Sequence, residues 1–276
     1  MNKEEILLQK RLIELSEIAY SRGIVTFSDF MNLNELNILH TTPKNRFRAR
    51  YETFGGYDLS ERQMAAFLPD ALYYTLPDEV RPSRRGMNCG MPCGDTLPDD
   101  YPYPITMLEI SPINRKFSEN LNHRDYLGAV MNLGIERCKL GDIIVCEDKA
   151  YLFAKEELAD YIAAQLTCIR HTPVKTRCAE DSDVSYEPVY EEIKGTVPSV
   201  RLDTVLSLAY PMSRSKLVGC IEGGRVYVNG KLITSNGHRL KEGDLISLRQ
   251  MGRISYQGIL SETKKGRYMV SVRKYR

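Results

Sequence analysis

Leu and Ile recur at three- and four-residue spacing between charged positions in KEEILLQKRLIELSEIAYSR, which predicts a helix over residues 3–22 closed by Gly23. Thr26, with Asp29 three residues on, predicts the start of a second helix through NELNIL, with a carboxylate near its N-terminal dipole. Arg46, Arg48 and Arg50 alternate with other residues, as side chains on one face of a strand do. Residues 1–76 thus read as a helical and mixed region, and residues 77–102, rich in Pro, Gly and charge, as a loop insertion. Periodicity returns over residues 103–178. ITMLEI is a strand, NHRDYLGAVMNLGI a helix ending near Gly134, and DIIVCE with KAYLFA a hairpin turning at Glu147-Asp148-Lys149. KEELADYIAAQL then makes a helix and IRHTPVKTR a last strand, giving the β-α-β-β-α-β order of ferredoxin-like folds.

Residues 179–198 form an acidic linker poor in large aliphatics, whose end, EIKGTVPSVRLD, predicts a strand leading into a last domain over residues 199–276. There Leu202, Val205, Leu206 and Ala209 mark a short amphipathic helix that Pro211 ends. Ser213 is the candidate N-cap of a second helix, which Gly223 and Gly224 close. RVYVNGKLI carries the Asn-Gly signature of a hairpin turn, so Asn229 reads as turn chemistry rather than as a base reader. LKEGDLISL is a further strand after the Gly243-Asp244 turn, and two more strands follow around Lys264-Lys265-Gly266. Leu217, Val226, Val228 and Ile246 are expected in the core. The fold class is α+β throughout.

Charge changes the picture of the C-terminus. Residues 201–276 hold 15 Lys or Arg against five acids, whereas the first 200 residues hold 23 basic and 31 acidic groups. The total of +2 therefore hides a block of +10 on a body of −8. Phosphate neutralisation dominates nucleic-acid affinity, so such a block is a candidate contact surface, although a solvated lysine-rich face has the same composition. Arg214 and Lys216 sit beside a helix N-terminus, whose amides and dipole favour phosphate. The alternating Arg46, Arg48 and Arg50 could offer RNA a second basic edge, and in an alternative reading the acidic N-terminal body would dock a protein partner.

RLD, SRSK, GGRVYVNGK and LKEGD, in that order over about residues 199–250, resemble the S-four RNA-binding domain, two short helices on a small twisted sheet. The resemblance places Arg201, Ser213, Arg214, Ser215, Lys216, Arg225 and Lys231 at RNA-facing positions. Arg239, Lys241, Arg253, Lys264 and Lys265 extend the basic surface. Upstream, the HRDYLG helix and GIERCKLGDI resemble the middle domain of the YlmH family of bacterial RNA-binding proteins, in which an acidic linker and an S-four domain follow. That resemblance spans about Gly55 to Arg276 and implies ribosomal RNA, or tRNA on the large ribosomal subunit, as target, with a role in quality control of stalled translation. A link to cell division through the acidic body is the second reading. The loop around residues 81–100 departs from the family pattern.

Other chemistry has weak support. Cys89 and Cys93 form a CxxxC pair without a second pair for tetrahedral zinc, so neither a metal site nor a cofactor is expected. Seven thinly spread cysteines suit a reducing cytoplasm; nothing at the N-terminus resembles a signal peptide, and no apolar run reaches membrane-spanning length. His123 and Asp125 at a helix start read as capping residues rather than as an acid–base pair, because positions two apart on a helix do not face each other. Tyr151 and Phe153 lie on one face of the third strand, where related folds stack bases, yet core packing explains them better. RLDTVLS echoes the catalytic motif of pseudouridine synthases but lacks its Thr-Ser-Gly continuation, and Gly55-Gly56 does not supply a methyltransferase cofactor loop. No catalytic residue is assigned.

Overall fold

The computed structural model describes residues 3–57, 59–69, 102–114, 118–146, 149–179, 190–263 and 266–275, which fall into two compact units, one up to residue 179 and one from residue 190. Cys89, Cys93, Lys264, Lys265 and the Glu147-Asp148 turn lie outside the described residues. No helix is long and apolar enough to cross a membrane among those described.

The first unit begins with α1 (Lys3–Arg22), which ends at Gly23 with φ +66° and buries Leu12, Leu15, Ser16 and Ala19. β1 (Thr26–Phe27), β2 (Arg50–Phe54) and β3 (Met64–Leu68) form a three-stranded sheet in the order β1-β3-β2. α2 (Leu33–Thr41) starts at Asn32 rather than at Thr26. Asn32 Oδ1 accepts from the amides of Asn34 (2.9 Å) and Glu35 (3.1 Å), and Glu35 accepts from the Asn32 amide (2.7 Å), a complete capping box. Thr26 is instead paired with Phe67 in the sheet, and Asp29 forms ion pairs with Lys139 and Lys155. Sheet pairing and distant lysines thus claim the two residues that the local pattern offered as a cap.

The alternating arginines do not share a strand either. Pro43 opens a 3₁₀ turn over Lys44–Arg46, closed by Arg46 N to Pro43 O (2.9 Å) and Phe47 N to Lys44 O (3.1 Å), and only Arg50 reaches β2.

The ferredoxin-like order appears as expected. β4 (Ile105–Pro112), β5 (Leu140–Val145), β6 (Ala150–Lys155) and β8 (Thr172–Cys178) build an antiparallel sheet in the order β5-β6-β4-β8. A short β7 (Cys168–Ile169) hairpins onto β8 at the outer edge. α3 (His123–Met131) and α4 (Ala159–Gln165) cover one face, over Leu108, Ile110 and Leu152 with Tyr126, Val130 and Ile162. Strand alternation sends Tyr151 and Phe153 to the opposite face.

In the second unit β9 (Tyr190–Val197) is the strand predicted at the end of the acidic stretch. α5 (Leu202–Ala209) and α6 (Arg214–Glu222) follow, then β10 (Val226–Val228), β11 (Lys231–Leu232), β12 (Leu245–Leu248), β13 (Gly252–Glu262) and β14 (Tyr268–Tyr275). The six strands pair in the order β11-β10-β12-β13-β14-β9, with β9 against β14 along its whole length. Leu202, Val205 and Leu206 of α5 and Leu217 and Ile221 of α6 close on Val226, Ile246, Ile254 and Val272, the expected core included. Asn229 (φ +49°) and Gly230 (φ +76°) turn the β10–β11 hairpin. Left-handed backbone at both positions is what an Asn-Gly hairpin turn requires.

Candidate nucleic-acid interface

The geometry of the basic surface starts from a buried acid. Asp203, one residue into α5, has a side chain only 5% exposed, and a carboxylate so placed needs opposite charge or hydrogen bonds. It accepts from Arg201 Nε (3.1 Å) and from Arg214 Nη2 (2.9 Å), so one carboxylate ties the start of α5 to the start of α6. The two arginine side chains remain 44% and 59% exposed. A guanidinium has five N–H donors in a planar fork, so each keeps donors for a phosphate while its position is fixed from behind. Sequence reasoning assigned both arginines and missed the acid that aims them. The signal was present in RLDTVL, as an acid within the apolar run of α5, where Leu202, Thr204, Val205 and Leu206 are all buried.

Backbone contacts add a third arginine. Arg239 forms a β-bridge with Arg201, and the Leu202 amide donates to His238 O (2.9 Å). Arg201, Arg214 and Arg239 are therefore gathered about the helix starts. Ser213 occupies the N-cap position of α6, but its side chain does not cap the helix; its Oγ lies 3.2 Å from Ser215 Oγ. Lys216 is exposed on the first turn. The remaining assigned cations lie on the sheet side. Arg225, exposed after the Gly223-Gly224 stop, donates to Cys220 Sγ (3.0 Å), and Lys231 and Lys241 are exposed in the β10–β11 hairpin and ahead of β12. Arg253 is half-buried on β13, opposite Ser247.

Asn229 is structural, as its turn chemistry implied. Its side chain donates to Asp244 Oδ1 (2.8 Å) and accepts from the Leu245 amide (3.0 Å), fixing the hairpin to β12. Three cations that the sequence did not single out lie over aromatic rings: Arg249 over Tyr227, Arg273 over Tyr190 and Lys274 over Tyr210, at 5.9, 4.7 and 4.8 Å. Burial pushes the Tyr210 hydroxyl up to about 12, so it stays neutral.

The central domain has no open base-stacking face at Phe153. That ring stacks on Tyr57 with centroids 5.1 Å apart, and Phe153 and Tyr151 are 4% and 3% exposed. Core packing is their role. The GIERCKLGDI segment explains the same contact from its other side. Asp142 accepts from the Tyr57 hydroxyl (2.9 Å) and the amides of Glu61 (2.6 Å) and Arg62 (3.2 Å). The Arg62 guanidinium in turn donates to the carbonyls of Leu140, Phe30 and Arg137. Burial, with Arg62 alongside, pushes the Arg137 guanidinium down to about 10.

At the start of α3, Asn122 and Asp125 form a capping box, and Asp125 also pairs with Arg170 (2.6 Å). Burial and Arg137 hold His123 below its ordinary value. Among the described residues no three of His, Cys, Asp and Glu gather where they could hold a metal.

A basic helical surface on a small sheet, following a ferredoxin-like domain along the chain, defines a protein that binds RNA through folded α+β modules. Residues 98–183 match the family described as "Putative RNA-binding domain in YlmH", and residues 200–246 match the "S4 domain". The chain thus carries both domains found together in YlmH-type RNA-binding proteins, with its S4 domain C-terminal. It is 29% identical to the ribosome-associated protein quality control protein P2 of Bacillus subtilis, over 98% of this chain and 95% of that one. It also resembles the solved structure of the cell division protein ylmH from Streptococcus pneumoniae, at 22% identity and a TM-score of 0.46, over 66% of this chain and 95% of that one.

Proposed function

We propose that the protein is a non-catalytic binder of structured RNA that acts in the cytoplasm on ribosomal RNA, and on tRNA held on the large ribosomal subunit, during quality control of stalled translation. The observation that carries this reading is the buried Asp203 carboxylate holding two largely exposed arginines at adjoining helix starts. The acid is buried while the two cations keep about half of their surface in solvent, where phosphate can reach them. Arg201, Arg214 and Lys216 grip phosphates, with Ser213, Ser215 and the first amides of α6 beside them. Arg225, Lys231, Arg239, Lys241 and Arg253 flank that grip, and Lys264 and Lys265 add to the basic charge of the same domain. Contacts of this kind read the shape and backbone of a helix and leave base-specific contacts few. The relative named for ribosome-associated quality control, alignable along nearly its whole length, supports the ribosomal setting.

The test is cosedimentation with ribosomal subunits on a sucrose gradient, wild type against Arg214→Ala/Lys216→Ala. The wild type is expected with the large subunit and the variant at the top. Wild type at the top would remove the ribosome from the proposal. Both proteins riding with the subunit would show that another surface makes the decisive contact.

A further inference from the structure

The first unit carries a basic surface of its own. From Leu36 to Tyr51 the chain has four Lys or Arg and no acid, within a 200-residue body of net charge −8. Lys44, Arg46 and Arg48 are exposed, and none of the three forms an ion pair among the described residues. The body is rich in carboxylates, yet among the described residues none of them pairs with these three cations.

The loop is also held firmly. The Ala49 amide donates to Ser16 Oγ (2.8 Å), a side chain fully buried on α1. Gln9, two turns earlier on the same face of α1, donates to Thr42 Oγ1 (2.9 Å) and accepts from Arg46 Nη1 (3.3 Å). Thr42 Oγ1 donates to Ile38 O (2.7 Å), closing the end of α2. Phe47 packs on Tyr51 and Phe67, with centroids 5.5 and 5.7 Å away. Both ends of the turn and its central ring are anchored, so the backbone that carries the three cations keeps its place without a ligand. The backbone of the turn has little ordering entropy left to lose when a polyanion binds.

We infer that the Lys44–Arg48 turn is a second RNA-backbone contact, which binds phosphates independently of the S4 surface. It rests on the reading of the protein as an RNA binder and adds a site in the other unit. Its chemistry is charge without base readout: two guanidiniums and an ammonium, fixed on one short turn, suit successive phosphates of a strand.

The experiment is filter binding of the full chain to protein-free large-subunit ribosomal RNA over a series of potassium chloride concentrations. Four proteins are compared: wild type, Lys44→Ala/Arg46→Ala/Arg48→Ala, the charge-keeping Arg46→Lys/Arg48→Lys, and Arg214→Ala/Lys216→Ala. Three lost phosphate contacts should lower the slope of log affinity against log salt by about 2 to 3, with an affinity loss of about tenfold or more at moderate salt. The lysine variant should keep the wild-type slope. An alanine variant with wild-type affinity and slope overturns the inference, whatever the S4 variant does. Weaker binding with an unchanged slope, not restored by lysine, overturns it too, because the loss would then be conformational. A weakened loop variant beside an unaffected Arg214/Lys216 variant would sink the S4 reading and leave this one standing.

Discussion

Asp203 Oδ2 accepts a hydrogen bond from Arg214 Nη2 at 2.9 Å, joining two helices whose partners lie eleven residues apart in the chain. Its other oxygen takes Arg201 Nε at 3.1 Å. The acid is therefore a positioning residue for two proposed phosphate contacts. Counting charge alone, Asp203→Asn removes a negative group from an RNA-binding surface and should tighten binding. The geometry predicts the reverse, a severalfold loss of affinity as the guanidiniums lose their common anchor. Tighter binding by Asp203→Asn in the filter assay would dismiss the positioning role.

The same contact sets the stability of the S4 variants. Lys216→Ala should leave the melting temperature unchanged, since that side chain is exposed. Arg214→Ala removes one of two partners of a buried carboxylate, but a partner 59% exposed and screened by solvent, with Arg201 still in place. The expected cost is about 1 kcal/mol, measured by urea unfolding.

Phe153 separates packing from base stacking. Phe153→Ala should cost about 3–5 kcal/mol, as large-to-small changes at buried aromatic sites do. RNA affinity of the protein that remains folded should be unchanged. Gly56 offers an independent check, because its φ is +100° and a Cβ there would lie 2.3 Å from the Phe153 ring. Gly56→Ala should also destabilise, by about 1–3 kcal/mol or more. A loss of RNA binding without a loss of stability in either variant would return Phe153 to the RNA-contacting set.

Glu109, 6% exposed on β4, accepts from Lys149 Nζ (2.7 Å) and Arg177 Nε (3.2 Å). The Lys149 hydrogen bond above all holds its carboxyl below the ordinary value, against the upward push of burial. A carboxyl lowered by folding stabilises the protein fully above its unfolded value of 4.5, and that contribution is lost as pH falls through the lowered folded value. Asp29 behaves alike: burial raises its carboxyl, and hydrogen bonds from Lys155 and Lys139 outweigh that. Thermal melts of Glu109→Gln should show lower stability than wild type at neutral pH, and a gap that narrows as pH falls below 4.5 and closes once it passes the lowered folded value. A gap constant with pH would detach Glu109 from the acid response.

The sequence by itself determined the elements whose signals are local. Residues 3–22 turn hydrophobic at helical spacing and stop at a glycine with positive φ; Asn229-Gly230 makes its hairpin; the β-α-β-β-α-β order follows from alternating periods of two and 3.6. Charge segregation and the RLD, SRSK and LKEGD motifs led to the basic domain for the same reason, since each is read within a few residues.

Tertiary structure decided wherever two local readings competed or where partners lay far apart. Thr26–Asp29 and Asn32–Glu35 both offer a helix start, and the choice fell to Asn32 because β3 pairs with Thr26 and because Asp29 meets Lys139, 110 residues away. Phe153 lies on a strand face that alternation alone leaves open, and Tyr57 closes it. Arg46 and Arg48 were legible as cations, but the turn at Pro43 and the Ser16 clamp on Ala49 set where they stand. Asp203 became the anchor of two arginines only when α6 packed beside α5. A helix or a hairpin is favoured by interactions within one or two turns of chain, whereas burial, ion pairing and the covering of a sheet depend on residues the local pattern does not contain.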